Sequence, residues 1–203
     1  MTDTRIAGSG ILSSQGFVTT PREPLPDALE LIRLSLLSAE AARAEFPGYR
    51  LTRLVGARLE LDADDIVQLS DLLGVNLLGL ARGAPRPFDR QLRHVIDRYN
   101  LNALFCDGGH APYHHAIRPT GYDFDRDEVN PVGMEQWRAD YRAMSEVRQI
   151  LAASIVWLYR AGKDNVWLRR VSCTWHAADA ISHLRDEGAL EDWACLYALY
   201  PGW

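Results

Sequence analysis

The feature that most constrains this chain is the run LAASIVWLY at residues 151–159, which no charged side chain interrupts. It is less than half the roughly 20 apolar residues that a helix needs to cross a bilayer, so it belongs inside a protein. Met144, Val147, Leu151, Ile155 and Leu158 repeat at intervals of three and four, the spacing of one helical face. The pattern predicts one long helix over residues 134–161, closed by Gly162. Its second half carries Ile150, Leu151, Ile155, Val156, Trp157 and Leu158 and is apolar on nearly every face. Such a helix must be covered on most sides. Helices expected at residues 88–99, 175–185 and 190–199 supply three walls, and a second copy of the chain in a homodimer supplies the fourth.

The 203 residues, 47% hydrophobic, suit one larger domain or two small ones. The N-terminus lacks a basic region followed by an apolar block and a cleavage site, so no secretion signal is expected. Cys106, Cys173 and Cys195 are the only cysteines; an odd, sparse count speaks against a disulfide scaffold and for a reducing, cytoplasmic setting. The net charge is −5, and Lys163 is the only lysine among 22 basic residues. That balance gives no general attraction to nucleic acid, so DNA binding requires a local basic face.

Residues 1–26 are rich in Gly, Ser, Thr and Pro and read as a flexible arm with one short strand near residues 16–19. Leu29, Ile32, Leu36 and Leu37 have helical spacing. Ser38 is placed to cap a helix at residues 39–45, and Pro47-Gly48 makes a turn. A third helix is expected at residues 49–57. Asp62 is placed to cap residues 63–73, and Gly74 to close them in a left-handed conformation; a last short helix covers residues 77–81. Residues 84–87 are the best linker, and residues 88–203 form the remaining domain. Between Cys106 and Gly133 no period holds, and such long irregular spans are often functional.

The stretch LTRLVGARLELDADDIVQLSDLLGVNLLGLARG, residues 51–83, with SAEAARAE upstream, resembles the helix-turn-helix module of the lambda-repressor and Xre family without a gap. The resemblance covers about residues 27–83. It implies a mainly α fold: an N-terminal five-helix repressor-like bundle, then a helical C-terminal domain with a long irregular loop. It also implies that the second motif helix enters the major groove, presenting Tyr49, Arg50 and Arg53, with Arg58 near a phosphate. Pro47-Gly48 stands where that family has polar residues, and acids slightly outnumber bases between Pro21 and Arg90.

The run FCDGGHAPYHHAIRP holds Cys106, Asp107, His110, His114 and His115, and CTWH holds Cys173 and His176. Cys and His are the ligands zinc prefers, so Cys106, His110, His114, Cys173 and His176 are the candidate metal set. The spacing is not a standard zinc pattern. The competing reading is of small buried cysteines and of histidines bonded to loop carbonyls. A nucleophile built from Cys106 or Cys173 with His110 or His176 lacks an orienting group in the sequence. Asp123, Asp125 and Asp127 alternate as in a calcium loop, but Glu128 and Met134 stand where glycine and glutamate are required. Trp167 beside Arg169 and Arg170 suits base stacking, or equally a core tryptophan with solvated arginines.

Three functions therefore compete. The first is a DNA-binding transcriptional regulator whose C-terminal domain dimerises or binds an effector or partner. The second is an antitoxin-like or phage-regulatory factor that binds a protein partner. The third is a metal-dependent hydrolase with His110, His114 and His176 around an open water position.

Overall fold

A computed structural model describes residues 26–58, 61–82 and 86–202. In chain order its elements are α1 (Pro26–Leu37), α2 (Ala39–Glu45), α3 (Leu51–Ala57), α4 (Ala63–Leu73), α5 (Leu77–Arg82), α6 (Pro87–Arg98), β1 (Phe105–Asp107), α7 (Tyr113–Ala116), β2 (Ile117–Pro119), β3 (Tyr122–Asp123), β4 (Glu128–Val129), α8 (Pro131–Arg142), α9 (Glu146–Tyr159), α10 (Ala177–Asp186) and α11 (Leu190–Leu199). The fold is mainly helical, with two small antiparallel pairs, β1–β2 and β3–β4. No helix among the described residues is long and apolar enough to cross a membrane. Residues 1–25, with the strand expected at 16–19, and residues 84–85 of the linker lie outside the described residues.

Local chemistry sets the helix ends. Ser38 accepts the N–H of Ala41 at the start of α2. Asp62 accepts the N–H groups of Asp64 and Asp65, and Asp65 returns a bond to the Asp62 N–H. Together these satisfy orphan donors at the N-terminus of α4. Gly74 ends α4 at φ +66, where a side chain would be strained. Asn130 caps α8 by accepting from Val132 and Gly133, behind a proline at the first helical position.

α9 is the centre. Every residue from Ile150 to Leu158 is buried, and the cover comes from one chain: α3, α8, α10 and α11 all pack against it. A second subunit is not needed to close the apolar surface. The long helix expected over residues 134–161 is instead two helices, α8 and α9. Ser145 turns to an extended backbone, φ −62 and ψ 157, and the Gln149 amide donates to the Met144 carbonyl at 3.0 Å. The break lets α8 lay Trp137 and Tyr141, stacked at 5.2 Å, into the core as a separate wall.

The N-terminal helices share this core. α1 and α2 pack on α10, and α3 lies between α9 and α10. α3 starts at Leu51 rather than at residue 49, because Arg50 is extended and pairs with His176 in the segment before α10. The Leu51 N–H donates to the Trp175 carbonyl at 3.1 Å and the Ala177 N–H to the Tyr49 carbonyl at 2.8 Å. On its other side α3 meets the turn after α9. Gly162 is left-handed there, and a Cβ on it would sit 2.7 Å from the Thr52 carbonyl oxygen.

Polar ties hold the outer helices. The indole N–H of Trp193 donates to Ser154 at 3.0 Å, joining α11 to α9. Buried Asp192 accepts from Gln91 and Arg98 of α6 at 3.1 and 2.9 Å and from Tyr99, the residue after it, at 2.8 Å. A buried carboxylate is tolerated only when paired in this way.

Full burial of Leu151 gives a direct test. Leu151→Ala should lower the unfolding free energy by about 2–5 kcal/mol in urea titration; a loss below about 1 kcal/mol would show that α9 is not enclosed.

Candidate functional site

The span without a period, residues 106–133, contains the two β pairs and α7. β1 and β2 pair antiparallel, Phe105 opposite Pro119 and Cys106 opposite Arg118. The hairpin is moored to the core by Leu104, whose carbonyl accepts the indole N–H of Trp137 at 2.8 Å and the N–H of Thr120 at 2.9 Å. The following turn fits against α8 through two glycines: a Cβ on Gly121, which has φ +88, would meet the Gly133 backbone at 2.5 Å.

Where this hairpin meets the end of α9 there is a pocket of about 260 Å³, lined by Phe105, Ile117, Arg118, Pro119, Tyr122, Val156, Tyr159, Arg160 and Trp167. Four of these are aromatic, two are arginines, and none is acidic. Arg118 is fixed by donating to the carbonyls of His115 and Ile117, both at 2.8 Å, and its guanidinium lies 5.7 Å from the Tyr122 ring. The Tyr159 hydroxyl donates to the His114 carbonyl at 2.8 Å, and burial pushes its pKa well above the ordinary phenol value. Trp167 packs on Trp137 at 5.9 Å and is set in place by Asp164, which accepts the N–H of Leu168 at 2.8 Å. Pockets with mostly apolar walls and a few fixed polar groups are what small ligands occupy.

Behind the hairpin, His114 is held by Asp89 of α6. The Asp89 carboxylate accepts the His114 ring Nδ1–H and the backbone N–H groups of His114 at 2.9 Å and Tyr113 at 3.2 Å. Burial pushes the Asp89 pKa up, and the His114 and Tyr113 bonds outweigh it, leaving the carboxyl below its usual range.

The residues singled out in the sequence are distributed as follows. Tyr49 is buried, with the Arg53 guanidinium 4.5 Å from its ring centroid. Arg50 is exposed but donates to the Thr174 carbonyl at 2.6 Å. Arg58 donates to the carbonyls of Ala198 and Tyr200 at 2.8 and 2.7 Å, so its guanidinium is engaged with the end of α11. Arg53 is the exposed residue of α3, whose Leu51, Leu54 and Val55 face the core.

The Cys and His residues do not converge. Cys106 donates to the Arg118 carbonyl at 3.4 Å and Cys173 to that of Leu168 at 3.7 Å. His110 is exposed. His176 caps α10: its Nδ1 accepts the Ala178 N–H at 3.2 Å, so Nε2 carries the proton and donates to the Phe46 carbonyl at 2.9 Å. Both ring nitrogens are then occupied and no lone pair is left for a metal. Among the described residues no group of three or more Cys, His, Asp or Glu is placed to hold a metal ion. Trp167 and Leu168 are buried while Arg169 and Arg170 are exposed, the core-and-solvent alternative rather than a stacking platform. Arg118 and Tyr122 carry no motif beyond lying within the aperiodic span, and Asp89 and Tyr159, which lie outside it, carry no signal.

No known family matches the chain, and neither does any curated protein or solved structure.

The thiols are placed to be inert. Burial raises the pKa of Cys106 and of Cys173, and that of Cys195 to about 11. Against the ordinary value of 9.0, the thiolate fraction of Cys195 at neutral pH falls about 100-fold. Ellman's reagent should therefore label Cys195 far more slowly in the native protein than in guanidinium. Equal rates would show an open, reactive thiol.

Proposed function

We propose that this protein binds a small aromatic anion in the pocket between the β1–β2 hairpin and the end of α9. One observation carries the reading: four aromatic side chains and two arginines, with no acid among the lining residues, close on a single cavity. An aromatic ring between Phe105, Tyr122, Tyr159 and Trp167 gains offset or edge contacts. A carboxylate on that ring meets Arg160 at the mouth, while Arg118 is preorganised by its two carbonyl bonds. A charge-assisted bond of this kind contributes roughly 1.5–3 kcal/mol.

Benzoate is the probe. It should quench tryptophan fluorescence saturably and raise the melting temperature of the full chain. Arg160→Ala should weaken binding about tenfold or more, and benzyl alcohol should bind worse than benzoate. The reading fails if millimolar benzoate changes neither signal, or if Arg160→Ala binds it as tightly as the wild type.

A second reading is DNA contact through the α2–α3 turn, favoured by the exposed side chains of Arg50 and Arg53 three residues apart at the start of α3. It predicts a gel shift with duplex DNA at low salt that Arg50→Ala with Arg53→Ala abolishes. No shift, or a shift the double variant keeps, ends it.

A further inference from the structure

The described surface has a second concavity with a separate lining, an open cleft of about 710 Å³ between the start of α6 and the loop that leads into α7. Its walls include Arg86, Arg90, Arg93, Asp89, Asp107 and His110. Arg90 and Arg93, three residues apart, share one face of α6, and Arg86 stands just before its first turn. Leu92, Val95 and Ile96 hold the opposite face in the core.

The charges around the cleft do not cancel. Asp89 is turned inward and already accepts three bonds from Tyr113 and His114. Asp107 accepts the Gly109 N–H at 2.8 Å and stands 3.9 Å from Arg93. Arg93 is also stacked on Tyr113, its guanidinium carbon 3.8 Å from the ring centroid. That contact orients the guanidinium while leaving its N–H edges available in the plane. Three guanidinium groups, the positive end of a 12-residue helix and exposed His110 thus surround one cleft, in a chain of net charge −5.

From this arrangement we propose that the cleft binds the phosphate end of a small phosphorylated molecule. Arginine matches phosphate through paired N–H donors, and Arg86 with Arg90 is placed to grip one phosphoryl group while Arg93 meets the next. The size of the ligand follows from the rim. Asp97, one helical turn beyond Arg93, and Asp107 are both exposed, so the positive patch ends within a few residues and a long polyanion meets acid on two sides. The site shares no lining residue with the aromatic pocket and does not depend on it.

Pyrophosphate is the probe, titrated calorimetrically into the full chain, with a short DNA duplex as the comparison. Pyrophosphate should bind saturably and more weakly as salt rises. Arg86→Ala with Arg90→Ala should weaken it at least about tenfold without moving the melting temperature of the unliganded protein. Arg160→Ala, in the aromatic pocket, should leave pyrophosphate binding unchanged, which separates failure of one site from failure of the other. The proposal is overturned if pyrophosphate does not bind at millimolar concentration, if the double variant binds it equally well, or if only the duplex binds.

Discussion

The burial of α9 on every side is the constraint from which the rest of the structure follows. Nine consecutive buried residues, Ile150 to Leu158, present apolar surface in all directions, and each large side chain among them contributes roughly 1.5–3 kcal/mol when removed from water. No single helix pair can enclose such a cylinder. The chain therefore brings α3 from its first third, α8 from its middle and α10 and α11 from its last quarter onto it. The hairpin of β1 and β2 has its place only because α9 ends beneath it and Trp137 of α8 holds Leu104. The aromatic pocket is thus a by-product of where the central helix stops: Val156, Tyr159 and Arg160 are its last turn and first residue beyond.

Much of the helical skeleton is legible in the sequence because caps and periodicity act locally. Ser38, Asp62 and Gly74 announce α2 and α4 at their observed ends, and α11 falls at residues 190–199 as the apolar spacing requires. The break at residues 143–145 is not legible, because Met144 continues the apolar stripe on both sides of it and only packing of Trp137 and Tyr141 distinguishes two helices from one. The candidate site is less legible still. Asp89 meets His114 25 residues away, and Tyr159 meets the His114 carbonyl 45 residues away, at spacings that no local pattern encodes. His114 and His176 are fastened by their ring nitrogens, to partners that lie 25 and 130 residues away and leave no trace in the local spacing.

The near-exclusive use of arginine has a structural meaning too. Arg50, Arg58, Arg118, Arg138, Arg142, Arg148 and Arg185 each donate to a backbone carbonyl, most of them in irregular segments or at helix ends. A guanidinium carries five donors in a rigid plane and can satisfy two carbonyls at once, as Arg58 and Arg118 do, where a lysine offers only a mobile point charge. Basic residues used in this way stitch loops to helices. Arg86, Arg90 and Arg93 are used differently: they line the α6 cleft.

The docking of α3 against the segment before α10 also bears on how the chain comes into being. Arg50 and its partner Thr174 are 124 residues apart, and translation at about 5–20 residues per second separates their appearance by roughly 6–25 s. During that interval Leu51, Leu54 and Val55 have neither α9 nor α10 to cover them. The contacts of α3 with α9 and α10 can therefore form only after the last third has been made, and they close long loops late.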